Sequence, residues 1–334
     1  MNYYLKRFFM WGLVIYLSIS LTFVLIRFLP GGPEETLINQ YLQRGMSYRE
    51  AVNQAQLVIN YDADAPIWQQ YINYVSDIIL RGDFGKSIFM GDSAVKLYAN
   101  AIPWSIYISV TALGVNFLSG VGLGALIAYK EGSRLDTGVT TYMIWSNAVP
   151  FFIVAILLLI FLGYQAQWFP TGGRYNPYTT PGFNIPFLRS VIYHAALPLS
   201  AVILTGLGGP AISMRANSIR TLGSDYIRVA QLRGLPTNRI ALRYVARNAV
   251  LPLYTGIVIS IGTIFGGSII LEQIFSYPGM GYVMFQAISL RDYPVMMAGF
   301  VFLTIGMMTG ILAADLTYNK IDPRAGTGAS RESY

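Results

Sequence analysis

Six stretches of this chain run for about the length of one bilayer crossing without an Asp, Glu, Lys or Arg: Phe8 to Val24, Ser105 to Ala128, Val139 to Gly163, Val191 to Met214, Ala249 to Leu271 and Val295 to Ala314. An α-helix needs about 20 residues to cross the hydrocarbon core, so the pattern predicts an all-α polytopic membrane protein with six transmembrane helices. The ionisable side chain of note inside these windows is His194. Arg27, Arg215, Glu272 and Asp315 stand at the borders, where long or terminal side chains reach water. Composition agrees, because 54% of the 334 residues are hydrophobic and 12% charged, too little charge for a soluble domain of this length. The lack of cysteine excludes disulfides and thiolate metal sites without fixing a compartment.

Basic loops stay cytoplasmic. An N-terminus inside assigns Lys6, Arg7, Lys130, Arg134, the seven arginines from Arg215 to Arg247, and Lys320, Arg324 and Arg331 to the cytoplasm. The segment from Pro30 to Ile102 then lies outside and is net acidic. Both termini are therefore expected in the cytoplasm. The net charge of +7 reads as topology and contact with membrane lipid or protein; no basic soluble domain is present to bind nucleic acid.

Lys6 and Arg7 ahead of an apolar run suggest a signal peptide. RFLPGGPEE follows with no small-x-small cleavage pattern, so residues 1–29 are read as a cytoplasmic N-terminus and a retained first span. Residues 30–102 form a small helical extracytoplasmic region between spans 1 and 2. There Ser47 and Glu50 have capping-box spacing ahead of AVNQAQLVI, and a second helix is expected after Pro66 through IWQQYINYVSDIIL to the RGDFG turn. Neither is long or apolar enough to stand alone, so the region is expected to pack as a cap on the outer face. Residues 103–317 form the transmembrane core, with a cytoplasmic loop at 215–248, and 318–334 a cytoplasmic tail. Between Tyr164 and Arg189, Pro170, Pro181 and Pro186 with several aromatics predict an irregular interfacial loop.

Glycines recur at four-residue spacing in the spans, as Gly120 with Gly124, Gly262 with Gly266, and Gly306 with Gly310. Such pairs let helices approach closely in lipid, either within one subunit or against another. No repeat relates the two halves, which argues against a complete inverted-repeat transporter in one chain. Ion-coupled carriers place charged side chains at mid-membrane, and these windows hold none, so energy for transport has to come from outside the chain. Gly85, Lys86 and Ser87 match the end of a phosphate-binding loop, but Leu80 stands where its first glycine belongs. His194 reads as structural or interfacial. HExxH, GxSxG and His/Cys clusters are missing, so neither catalysis nor a metal site has support, and the chain is read as a non-enzyme.

What remains is the basic loop. Asp225 to Leu235 should be helical, starting near Ser224 or Asp225 and ended by Gly234, Leu235 and Pro236. On it Tyr226, Val229, Ala230 and Arg233 share a face by their spacing. A second helix from Thr237 through Arg247 would add Arg239, Arg243 and Arg247 at intervals of four. Two short helices meeting at a glycine make an elbow suited to a groove on a soluble partner. The plainer alternative is that the arginines anchor the loop at anionic lipid and enforce topology.

Here the residues resemble a known family. AxxxGL at Ala230 to Leu235 followed by RNAVLP at Arg247 to Pro252 is similar to the cytoplasmic EAA loop of binding-protein-dependent ABC importer permeases, and in particular to the oligopeptide and dipeptide (peptide/nickel) group. The resemblance extends through LPGGP at Leu29 to Pro33, GDFGKS at Gly82 to Ser87, ALPL at Ala196 to Leu199, LEQIFSYPGMG at Leu271 to Gly281, RDYP at Arg291 to Pro294, and DPR at Asp322 to Arg324. It implies a permease subunit of a prokaryotic plasma (inner) membrane. Asp225, Tyr226, Arg228, Ala230, Arg233, Gly234, Leu235 and Pro236 would then form the helix that docks into a cytoplasmic ATPase. The implied partners are a second homologous permease, two cytoplasmic ATPase subunits that carry the ATP and Mg, and an extracytoplasmic substrate-binding protein; no cofactor is implied on this chain. Arg228 stands where the general pattern has Glu, and Gly234 lies farther from Pro252 than in the shorter loops of sugar permeases.

The expected cargo is peptide. An oligosaccharide importer of the same architecture, an ion-coupled carrier or channel, and an assembly scaffold are the other readings. In the importer reading, closure of two ATPases on ATP moves the docked elbow and swings the fourth and fifth spans. Residues that touch substrate are not identifiable from the sequence.

Overall fold

Proline placement shapes the helices more than the apolar windows suggest. A computed structural model describes residues 3–28, 33–58, 66–236, 239–264 and 268–321. Among the described residues the fold is all-helical, and the only bridge of β type is an isolated pair between Lys86 and Ser93. The helices are α1 Tyr3–Arg27, α2 Pro33–Gln43, α3 Tyr48–Val58, α4 Ile67–Ser76, α5 Ala94–Tyr129, α6 Arg134–Ala148, α7 Phe151–Leu158, α8 Ile185–Gly206, α9 Gly208–Leu222, α10 Asp225–Leu232, α11 Leu251–Ile264, α12 Ile269–Ile274, α13 Met280–Leu290 and α14 Tyr293–Ile321. Wider π turns extend α4 over Asp77–Arg81 and α7 over Leu159–Gln165, and a third occupies Ile240–Ala246 ahead of a single turn at Arg247–Ala249.

Among the described residues, four segments are long and apolar enough to cross a membrane: Phe8–Leu25, Ala94–Tyr129, Ile185–Leu222 and Tyr293–Ala313. The expected third span is present as two helices, α6 and α7, bent by 96°. Pro150 is the cause. Its ring excludes Val149 from the helical region, and Val149 is extended at φ −86°, ψ 122°. The expected fifth span falls on α11 and on α12 from Ile269, and residues 265–267 between them lie outside the described residues. The all-helical membrane fold is as expected, with five spans among the described residues if the bent pair is one crossing. Leu29 to Gly32, Thr237, Gly266 and the tail from Asp322 on lie outside the described residues.

The chain forms two compact units, one of residues 1–105, 265–269 and 278–309, the other of residues 106–264, 270–277 and 310–334. In the first, Tyr98, Met280, Ala287, Val295 and Ala298 form a buried core with Phe84 and Leu97 against it. Tyr98 donates its hydroxyl to the Val295 carbonyl at 3.0 Å, and Ser105 Oγ accepts the Met280 N–H at 2.7 Å at the start of α13. The capping box forms as its spacing requires: Glu50 N–H meets Ser47 Oγ at 3.4 Å, and Glu50 Oε2 takes Ser47 N–H at 3.1 Å and the Ser47 hydroxyl at 2.7 Å.

The nucleotide-like string at Gly85 to Ser87 has a structural use. The Ser87 hydroxyl donates to the buried Asp292 carboxylate, which also takes the Ile88 and Phe89 N–H groups at 3.3 Å each. Gly85, at φ +86°, passes so close to Pro294 that a Cβ would lie 3.2 Å from the proline Cβ. GDFGKS and RDYP, remote in sequence, therefore close on each other.

In the second unit Gly120 and Gly124 pack α5 onto α9. A Cβ on Gly120 would lie 2.8 Å from Pro210 Cβ, and one on Gly124 would collide with the Ala211 carbonyl and come within 2.7 Å of Met214 Cβ. That pair serves packing within the subunit. Asn184 caps α8 by accepting the Phe187 N–H at 2.9 Å, after the irregular 166–184 segment. His194 Nδ1 lies 2.8 Å from the Ser190 carbonyl, one turn back on the same helix.

Candidate coupling surface

The elbow begins at Ser224, whose extended backbone (φ −83°, ψ 147°) starts α10 with Asp225 in its first turn, where a carboxylate meets the positive end of the helix dipole. It ends where only glycine is comfortable: Gly234 sits at φ +68°. Its N–H reaches the Gln231 carbonyl at 2.9 Å and the Leu235 N–H reaches Ala230 at 3.3 Å, the paired bonds of a Schellman stop. The expected end of the helix at Gly234, Leu235 and Pro236 is thus present, with the regular part closing at Leu232.

The two arms hold together through a small core. Ile227, Ala230, Ile240 and Val245 are buried, with Leu222, Leu235 and Tyr244 against them. Asn248 Nδ2 donates to Tyr226 Oη at 3.2 Å and to the Tyr244 carbonyl at 2.8 Å, tying α10 to the second arm. Ala230 therefore points inward, off the face on which its spacing had placed it with Tyr226, Val229 and Arg233. Asp225, Tyr226, Arg228, Val229, Arg233, Gly234 and Pro236 are exposed. So is Leu232, 81% exposed, which sequence reasoning passed over. The signal was helical angle, since at about 100° per residue Leu232 stands about 140° from Ile227 and about 200° from Ala230, off the face those two bury. The second arm is wound as a π turn, and it leaves Arg239, Arg243 and Arg247 in solvent.

One of the seven arginines has another task. Arg215 on α9 makes a fork to Asp136 at the start of α6, with Nε to Oδ1 at 3.0 Å and Nη2 to Oδ2 at 2.9 Å. Asp136 is buried and also accepts the Gly132 N–H at 3.1 Å and the Thr140 hydroxyl at 3.2 Å. Ser133 caps the same helix by taking the Asp136 N–H at 3.2 Å. The helix that leads into the elbow is thereby fixed to the α5–α6 turn. Arg220, one turn farther, lines a groove of about 600 Å³ with Asn116, Asn217, Leu253 and Ile257. No group of three or more His, Cys, Asp or Glu able to hold a metal occurs among the described residues.

Elbow, clamp and α11 all fall within residues 120–327, the segment matched by the family described as binding-protein-dependent transport system inner membrane component. The chain belongs to that family. The resemblance read from AxxxGL and RNAVLP is borne out, and membership makes the chain a multi-pass, non-catalytic membrane component. Among curated relatives, this member of the family is 32% identical to the dipeptide transport system permease protein DppB of Bacillus subtilis (strain 168), over 97% of each chain. It is 30% identical to the oligopeptide transport system permease protein AppB of the same organism, over 91% of this chain and 92% of that one. It is 29% identical to DppB of Escherichia coli (strain K12), over 94% of this chain and 96% of its relative.

Proposed function

We propose that the chain is one half of the translocation pathway of an ATP-driven peptide importer, and that the elbow from Asp225 to Pro236 couples it to cytoplasmic ATPase subunits. A second homologous permease completes the pathway, and an extracytoplasmic binding protein delivers peptide. ATP and Mg act on the ATPase partners, and both termini lie in the cytoplasm. The peptide assignment is supported by relatives named as dipeptide and oligopeptide permeases that span nearly the whole chain. The coupling assignment is carried by one observation: α10 projects Leu232 and Val229 into solvent between Arg228 and Arg233, on an arm braced from behind by its own small core. Exposed apolar side chains ringed by charge on a rigid arm suit a protein groove better than water.

Two substitutions test this in the purified complex in lipid, read by ATP hydrolysis and by peptide uptake. Gly234→Trp forces a bulky side chain into the left-handed region beside the proposed contact, where no atom lies within 4 Å of the Cβ position. Leu232→Asp changes a side chain that makes no internal packing. Both should leave the chain in the membrane and abolish peptide-stimulated uptake; normal transport by both would overturn the coupling assignment. Stimulation of hydrolysis by a binding protein loaded with oligosaccharide and not with peptide would keep the mechanism and change the cargo.

A further inference from the structure

The helix of α4 and its π extension, Ile67 to Arg81, carries two faces of different character. Toward α1 it presents Tyr71 and Tyr74. The Tyr71 hydroxyl lies 2.6 Å from Ser20 Oγ and donates to Tyr16 Oη at 3.1 Å, and Phe23 packs against the Tyr71 and Tyr74 rings at 5.4 and 5.8 Å. Away from α1 it presents Trp68, Ile72, the half-buried Val75 and Ile79, at the four- and three-residue spacing of one helical stripe, with Leu80 next to Ile79. Trp68 is 64% exposed, Ile79 64% and Leu80 80%. An aqueous cap would hold these side chains in water.

Depth decides what covers them. The apolar window of α1 ends at Leu25. Ser20 lies five residues inside it, about 7 Å at a rise of 1.5 Å per residue. The far end of the helix is marked separately. Ser18 and Thr304 hydroxyls meet at 2.7 Å, which fixes Thr304 of α14 near the level of Ser18, and Phe84, just past Arg81, stacks on Phe302 at 4.9 Å. Both ends of the 67–81 helix are therefore tied to points inside the apolar windows of α1 and α14. We propose that this helix lies in the membrane interface, with the Trp68–Leu80 stripe against lipid acyl chains. Leu17, Leu21 and Leu25 on α1 are exposed as well, and an amphipathic helix at such an interface sinks its apolar face about 5–10 Å into the acyl boundary. The Tyr71 hydroxyl pairs with Ser20 and Tyr16 because water is scarce there, and the Asp77–Arg81 pair at 3.0 Å stays on the polar flank. The proposal rests on α1 spanning the bilayer and is independent of cargo or coupling.

The chain has no cysteine, so an introduced thiol is the single label on it, and the partner subunits are used in cysteine-free form. Ile72→Cys and Ile79→Cys, in the whole complex in lipid nanodiscs, would be spin-labelled and read for collision with oxygen and with a water-soluble nickel chelate. Leu17→Cys on α1 serves as the lipid reference and Gln54→Cys, exposed on α3, as the aqueous one. The oxygen-to-nickel ratio at 72 and 79 should lie between those at 17, near the middle of the α1 window, and at 54, and exceed that at 54 by at least about threefold. A ratio like that of Gln54 at both positions would overturn the proposal. Low collision with both reagents would do so as well, by showing that protein covers the stripe.

Discussion

Asp136→Ala removes the acceptor that ties α6 to the helix feeding the elbow. Two charge-assisted bonds from Arg215 disappear, each worth about 1.5–3 kcal/mol in a protein interior, together with the Gly132 and Thr140 donors. Breaking a fully buried pair from one side costs roughly 3–5 kcal/mol. This site is less severe, because the Arg215 side chain retains 27% exposure and Glu131 Oε1 lies 4.0 Å from Nη2, ready to take up part of the charge. Halving the buried-pair cost for solvent screening leaves about 1.5–2.5 kcal/mol. Expressed as local opening, that is roughly a 12- to 70-fold rise in amide exchange across 132–143 and 209–219. Hydrogen exchange read by mass spectrometry in lipid nanodiscs measures it, and peptides from the first unit serve as the unaffected reference. Asp136→Ala, Arg215→Ala and the double variant close a cycle whose coupling should exceed about 1 kcal/mol. Additive effects, or less than about a threefold rise in exchange, would refute the clamp.

The remaining predictions concern packing, the Asp292 latch and pH. Gly124→Ala places a methyl against the Ala211 carbonyl and Met214 and should cost about 1–3 kcal/mol in thermal stability, whereas Gly122→Ala, with nothing within 4 Å, should be close to neutral. Asp292→Ala leaves the Ser87 hydroxyl and the Ile88 N–H without their acceptor, Phe89 N–H keeping Ser87 Oγ at 3.2 Å, and should cost roughly 3 kcal/mol; faster limited proteolysis between Gly82 and Asp92 is the readout, with Asp292→Asn intermediate. The Ser47 hydroxyl and backbone N–H hold the Glu50 carboxyl below its ordinary range. A depressed carboxylate stabilises the fold above its unfolded pKa and loses that effect as pH falls through the folded value. Protection factors at the start of α3, taken relative to the intrinsic exchange rate at each pH, should therefore fall on acidification below the usual glutamate range, and Glu50→Gln should flatten the dependence.

Much of the helical inventory was legible because it follows from local rules. Charge-free windows, the Ser47–Glu50 box and the Gly234 stop each act within a few residues, and each appears where its chemistry requires. The bend after Val149 was equally local, since Pro150 stands in the third window, but window hydropathy carries no term for the residue that precedes a proline. Exposure on the elbow was only half legible. The i, i+3 and i, i+4 spacing grouped Ala230 with Tyr226 and Arg233, whereas the second arm selects Ile227 and Ala230 for its core and leaves Leu232 outside.

The sequence by itself determined that the chain is a membrane protein built of helices, that it has a basic loop broken at Gly234, and which family it belongs to, because hydropathy, turn chemistry and motif order are properties of neighbouring residues. Tertiary structure decided which of seven similar arginines is internal, that Ser87 serves Asp292 and not a phosphate, and that the helix from Ile67 to Arg81 is pinned beside α1. Those outcomes depend on pairs 79, 205 and 51 residues apart in the chain, and no local pattern specifies which distant partner a polar side chain will find when it is withdrawn from water.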